Sequence, residues 1–194
     1  MKATHLYSLL VLLLVSCGEK STFPAPFEML DPDTSGIAFS NNLIDSDSFN
    51  IMQYLYYYNG GGVAAGDLNN DGWVDLYFTG NQVDDALYIN AGDLSFKDIS
   101  TKSGINGHKG WSTGVTLLDI NEDGWLDIYV CRLGKYKMYN DHNRLYINNQ
   151  DETFTESAAA YGLEFSGFST QSAFFDYDGD GDLDCYLLNH SVKR

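Results

Sequence analysis

Cationic residues are scarce. Eleven Lys and Arg stand against 27 Asp and Glu, a formal charge of −16 over 194 residues; a chain so acidic repels polyanions, which excludes nucleic acid as a partner. Proline is rarer still: all three lie within Ser21–Pro32, the composition of a surface tether. Cysteine is confined to Cys17, Cys131 and Cys185, too few for a disulfide scaffold. No apolar run is long enough to span a bilayer as a mature helix. There is no nucleophile elbow, phosphate-cradling glycine loop, zinc-type Cys/His spacing or nucleotide fingerprint. The run Asn59-Gly60-Gly61-Gly62 reads as a turn.

The start of the chain has the form of an export signal. Met1-Lys2 supplies a positive end, Leu9–Val15 an unbroken apolar run, and Leu14-Val15-Ser16-Cys17 follows directly. Small or apolar residues closing on a cysteine form the pattern of a bacterial lipoprotein signal, so residues 1–16 are expected to be removed and Cys17 lipidated. Gly18 stands where an inner-membrane retention signal carries Asp, which points to the outer membrane or cell surface. Residues 17–60 then read as a tether with N-terminal strands, Gly36–Phe39 and Met52–Tyr58 each supplying one.

After Gly60 the chain repeats itself. Asp67-Leu-Asn-Asn-Asp-Gly-Trp-Val-Asp75, Asp119-Ile-Asn-Glu-Asp-Gly-Trp-Leu-Asp127 and Asp176-Tyr-Asp-Gly-Asp-Gly-Asp-Leu-Asp184 match at spacings of 52 and 57 residues. These 27 residues hold 12 of the 27 acids, a concentration that argues for cation sites over a generally solubilising surface. A second pair of matches lies between the loops: Leu87-Tyr88-Ile89-Asn90 with Phe96, and Leu145-Tyr146-Ile147-Asn148 with Phe154. Short β-prone runs separated by Gly, Asn and Asp give about four strands per unit, which is the pattern of a propeller blade. The expected fold is all-β: a partial β-propeller of four-stranded blades over residues 61–194, the third incomplete. After the last loop Asp, Tyr77, Tyr129 and Tyr186 recur and are assigned to the core between blades. Cys131 and Cys185 fall at different repeat positions and are expected as two separate buried thiols.

Each loop is rich in oxygen donors. The first offers Asp67, Asn69, Asp71 and Asp75 side chains with the Trp73 carbonyl; the second Asp119, Asn121, Asp123 and Asp127 with the Trp125 carbonyl. The third offers Asp176, Asp178, Asp180 and Asp184 with the Asp182 carbonyl. Alternate positions of a tight turn point inward, and Gly72 permits the bend. A hard, flexible, oxygen-only set selects calcium over zinc or copper, with magnesium the weaker candidate. Carboxylates about 4 to 5 Å apart repel by roughly 3 to 4 kcal/mol per pair at an effective dielectric near 20, so without a cation such a loop is expected to open. Val74, Leu126 and Leu183 are expected to pin the loops to the core, and the Trp73 and Trp125 rings to cover neighbouring turns. An EF-hand is excluded because its twelfth position requires a bidentate Glu, where this chain has Phe78, Val130 and Leu187.

The loops, with Gly62-Val63-Ala64-Ala65-Gly66-Asp67, Trp111-Ser112-Thr113-Gly114-Val115 and Phe174-Phe175-Asp176-Tyr177-Asp178, resemble the FG-GAP/VCBS repeat family. They resemble in particular its exported bacterial branch, often found with an ASPIC/UnbV domain. The resemblance implies calcium-binding propellers like the integrin α-subunit head, usually seven-bladed, with the loops as structural calcium sites. The chain then reads as the front of a longer protein: a lipid-anchored binding, adhesion or scaffold module for a glycan or protein, with no catalytic residues assigned. The alternative is the chassis of a polysaccharide-active enzyme such as a lyase, for which His108 near Lys109 and Trp111, and His142 near Asp141 and Arg144, are the candidates.

Overall fold

The computed structural model describes residues 27–106, 110–134, 136 and 139–191. The expected leader, Cys17 and His108 lie outside them. The chain divides into Met1–Leu30, of which only 27–30 are described and carry no regular structure, and Asp31–Arg194, which contains every helix and strand among the described residues. Among the described residues no helix is long and apolar enough to cross a membrane.

The second unit opens with a single helical turn, α1 (Pro32–Ser35), capped by the Asp31 carboxylate, which accepts from Asp33 N at 3.0 Å. Three antiparallel meanders come after it. The first is β1 (Val63–Gly66), β2 (Asp75–Phe78), β3 (Ala86–Asn90) and β4 (Phe96–Asp98); the second is β5 (Ser112–Leu118), β6 (Asp127–Arg132), β7 (Arg144–Asn148) and β8 (Phe154–Glu156). The third holds, among the described residues, β9 (Ser169–Phe175) and β10 (Asp184–Asn189). This is the expected partial propeller, two complete blades and half of a third.

Strand alternation puts an apolar row on each face of a blade, and the core lies between blades. Tyr77, Leu87 and Ile89 of the first blade meet Val115, Ile128, Val130 and Tyr146 of the second in one buried cluster. Tyr129, Cys131 and Leu145 on the other face of the second blade meet Phe174 and Leu187 of the third. The blades are also stitched together: Thr79 Oγ1, just past β2, donates to Thr113 O at 2.7 Å, and Thr113 Oγ1 of β5 donates to Ser169 O of β9 at 2.8 Å.

The neighbours of a blade decide what is buried. Every residue of β6, with a blade on either side, is buried, whereas β10 is half-buried or exposed throughout. The tyrosine column divides accordingly: Tyr77 and Tyr129 are core residues, while Tyr186 is 63% exposed. Both remaining cysteines are free, but only Cys131 is buried; Cys185 is half-buried.

The two segments expected as N-terminal strands are not strands. Residues 36–39 run irregularly across the outer face of the first blade, where Ile37 and Phe39 pack on Phe78 and Tyr88 and the Phe39 and Phe78 rings stack at 5.1 Å. Residues 52–58 fold as successive turns. Tyr54 and Tyr57 are buried there, as a packed strand would bury them, but around Phe49, Trp111 and Leu133 in a cluster of rings. Aromatic density reads as β because both states offer a half-buried surface; packing around a hub ring selects turns here.

Candidate metal centre

Each acidic loop closes the hairpin between the first two strands of its blade, with Gly66 opposite Asp75, Leu118 opposite Asp127 and Phe175 opposite Asp184. The same backbone folds all three. The sixth position is left-handed at Gly72, Gly124 and Gly181, with φ of 90°, 85° and 96°, a conformation that costs a side-chain-bearing residue. The fourth is left-handed too, at Asn70, Glu122 and Gly179.

Amide-to-carboxylate bonds hold this shape. Asp67 accepts from Asp71 N and Gly72 N at 3.2 and 2.8 Å, Asp119 from Asp123 N and Gly124 N at 3.0 and 2.8 Å, and Asp176 from Asp180 N and Gly181 N at 3.2 and 3.1 Å. The third-position side chain, Asn69, Asn121 or Asp178, accepts from the fifth amide. Asp71, Asp123 and Asp180 accept from the seventh; for Asp123 this bond from Trp125 N, foremost, holds its pKa below the usual carboxylate range. The ninth carboxylate closes the ring on the second amide: Asp75 on Leu68 N at 2.8 Å, Asp127 on Ile120 N at 3.1 Å, Asp184 on Tyr177 N at 2.9 Å.

Backbone amides of each loop thus hold its carboxylates in place, and the donor set suits a hard divalent cation. In the third loop Asp176, Asp178 and Asp184 bring carboxylate oxygens within 4.8 Å of one another, the one such trio among the described residues. None of the ion pairs among the described residues reaches a loop carboxylate. The Trp73, Trp125 and Asp182 carbonyls accept no hydrogen bond from the described residues.

Two asparagines outside the loop motif also belong to the site. Asp75 Oδ1 accepts from Asn90 N, and Asp127 Oδ1 from Asn148 N, both at 2.8 Å. Each asparagine ends the third strand of its blade and also donates its side chain to the eighth loop carbonyl, Val74 O or Leu126 O. Their repetition in Leu-Tyr-Ile-Asn was the available signal. Buried against these strands, Asp75 and Asp127 have pKa values raised first by desolvation, opposed by the two amides, with neighbouring loop carboxylates adding to the rise. The loops also touch each other: Asn148 Nδ2 donates to Leu68 O at 2.8 Å and Asn70 Nδ2 to Gly124 O at 3.2 Å.

The expected apolar pins need correcting. Leu126 does pack, on Gly66 and the core between the first two blades, but Val74 and Leu183 are 52% and 43% exposed. Among the described residues no neighbouring blade covers Val74, and the first loop is instead anchored by Leu68, 1% exposed. The Trp73 ring lies over Gly92 in the adjoining turn, as expected.

The enzyme candidate His142 does meet its neighbours. Its Nδ1 lies 3.8 Å from Asp141 and 3.5 Å from Glu164. Asp141, however, pairs with the buried Arg132 at 3.1 Å and with Arg144 at 3.0 Å, so its carboxylate ties strands β6 and β7 together.

Antiparallel four-stranded blades with an oxygen-lined loop in the first hairpin of each define a propeller of acidic repeats. The FG-GAP-like repeat family matches residues 67–130 and 136–187, and the chain belongs to that family. It is similar to Cartilage acidic protein 1 of Xenopus tropicalis, 27% identical over 172 residues covering 87% of this chain and 26% of that protein. Cartilage acidic protein 1 of Homo sapiens is 26% identical over 139 residues, 71% of this chain and 20% of that protein. The chain therefore spans 20 to 26% of the length of these relatives.

Proposed function

We propose that this chain is part of a calcium-stabilised propeller that acts outside the cell as a binding or adhesion module, held to the membrane by lipid on Cys17, with a glycan or protein as its ligand. The observation that carries the calcium reading is the triple recurrence of an acidic loop whose carboxylates are held by backbone amides and paired with no cationic side chain among the described residues. Asp67, Asn69, Asp71 and Asp75, with the Trp73 carbonyl, would hold one ion, and the corresponding residues of the other loops one each. Calcium would supply positive charge at the centre of each loop and so remove the mutual repulsion of its acids. Membership of the FG-GAP-like repeats supports a binding role over catalysis. The further expectation of a bacterial lipoprotein carrying an ASPIC/UnbV domain rests on the leader and motif pattern.

The test is thermal unfolding of the chain in calcium and in EDTA. Three sites at calcium a hundredfold above Kd contribute about 2.7 kcal/mol each, which for a chain of this size raises Tm by about 15 °C or more. An unchanged Tm would overturn the metal reading; magnesium at equal concentration is expected to restore little. Loss of fatty-acid labelling in the Cys17→Ser protein, expressed in a bacterial host, tests the anchor.

A further inference from the structure

A second site lies at the other end of the innermost strands, away from the acidic loops. There the chain forms a half-open cavity of about 250 Å³. Its floor is made by the same register positions of all three blades: Gly61, Thr113 and Thr170, then Gly62, Gly114 and Gln171. Glycine is required at Gly62, where a Cβ would come within 2.8 Å of Thr113 O, so the strands converge closely and leave a smooth base. The wall is aromatic. The rings of Tyr56 and His190 lie 3.9 Å apart, and Tyr54 packs on Trp111 behind them.

Two properties of the cavity select its occupant. The first is neutrality: no Asp, Glu, Lys or Arg is among its described lining residues, in a chain of formal charge −16. His190, the one basic group among the described lining residues, is pushed toward the neutral imidazole by burial, and its Nε2 lies 2.9 Å from Tyr54 Oη. A charged ligand would lose its hydration here without a counter-charge. The second is unspent hydrogen-bonding capacity. Trp111 is 1% exposed, yet its indole N–H has no acceptor among the described residues. The Tyr56 hydroxyl and the Asn59 carboxamide, also on the lining, are likewise without partners among the described residues.

We infer that this cavity is a binding site for a neutral sugar ring, its apolar face laid on the Tyr56 and His190 wall and its hydroxyls taken up by Trp111, Asn59 and Gln171. Aromatic rings beside uncharged donors and acceptors match the two-sided chemistry of a pyranose. The volume suits one ring at a time, the end of a chain or a side branch, rather than the length of a polymer. This deepens the proposed binding role and rests on it, but not on the identity of the metal.

The test uses the whole chain in calcium, with the methyl glycosides of glucose, galactose and mannose as probes and glucuronate as the charged counterpart. Binding is read by saturation-transfer NMR and by Trp fluorescence. At least one neutral glycoside is expected to bind saturably, with glucuronate at least about tenfold weaker. Gln171→Ala changes an exposed side chain and should weaken binding about three- to tenfold with Tm unchanged; Tyr56→Ala removes a half-buried ring and should weaken binding by a similar factor in a protein that still unfolds cooperatively, at a lower Tm. No saturable binding up to about 50 mM, past the millimolar range of ring-sized ligands, overturns the site. So does binding that both variants leave intact, or a preference for glucuronate. Tm in calcium and EDTA is measured on the same sample, so failure of the metal reading is seen separately from failure of this one.

Discussion

The second and third acidic loops share one backbone and differ in what surrounds it. In both, the first Asp accepts from the fifth and sixth amides, and the ninth from the second. In the complete blade Asp127 is fully buried and takes a further bond from Asn148 N on the third strand of its sheet. In the half blade the described residues offer no such strand; Asp184 is half-buried and joins Asp176 and Asp178 in a close trio of carboxylates. Loop shape is therefore written in nine consecutive residues, while the burial and capping of the last ligand come from the rest of the blade.

The largest expected effect separates these two layers directly. Asp127→Ala leaves Ile120 N and the buried Asn148 N without their acceptor and should cost about 2–4 kcal/mol in EDTA, where no metal contributes. Asp184→Ala exposes one amide to water and should cost less than about 1 kcal/mol. Urea unfolding of both proteins gives the comparison; equal losses would mean that the blade adds nothing to the loop. A second contrast is chemical. Burial pushes the Cys131 thiol up to about 12, so at pH 8 only about one part in ten thousand is thiolate. Cys185, whose thiol burial also raises, sits on the half-buried strand β10. Alkylation followed by mass spectrometry should label Cys185 at least about tenfold faster; the reverse order would contradict the placement of β6 between two blades.

The loops were legible in the sequence because ligand spacing, bend glycine and repeat all lie within a short window. Four strands per blade were legible for the same reason, each run being bounded by turn residues. The Asn90 and Asn148 caps were not, because they join residues 15 and 21 positions apart through strand register. Which apolar loop residue packs was not legible either: Val74 and Leu126 hold the same repeat position, but among the described residues only Leu126 packs against a neighbouring blade. Residues 52–58 show the limit of propensity, since a strand and a turn around Phe49 call for the same aromatic residues.

The contacts between loops give a smaller effect. Asn148→Ala and Asn90→Ala each lose a bond within their own blade, to Leu126 O or Val74 O, but Asn148→Ala also loses the bond to Leu68 O of the neighbouring loop. The difference should be about 1 kcal/mol in stability. It should also appear in calcium titration followed by Trp fluorescence. Ordering of the second loop holds Asn148 against the first, so binding at the two sites is coupled in the parent protein and less strongly coupled in Asn148→Ala, where the Asn70 bond to Gly124 O still joins the loops. Identical titration curves would show that the two sites respond separately despite the shared bond.

The smallest effect concerns the fourth loop position, where the third blade has Gly179 and the second has Glu122, both left-handed, with φ of 78° and 58°. A Cβ in that conformation costs about 1–2 kcal/mol, and glycine gives back about 0.5–1 kcal/mol through the freedom of the unfolded chain. Glu122→Gly should therefore stabilise by about 0.5 kcal/mol, and removal of one exposed acid from the loop acts in the same direction. Asn70→Gly should not stabilise, because asparagine tolerates the left-handed region and its side chain bonds Gly124 O across the blades. Urea midpoints of the two variants in calcium decide it. A loss in Glu122→Gly would mean that this position is not held left-handed in solution, and the likeness of the second and third loops would then end at the fifth residue.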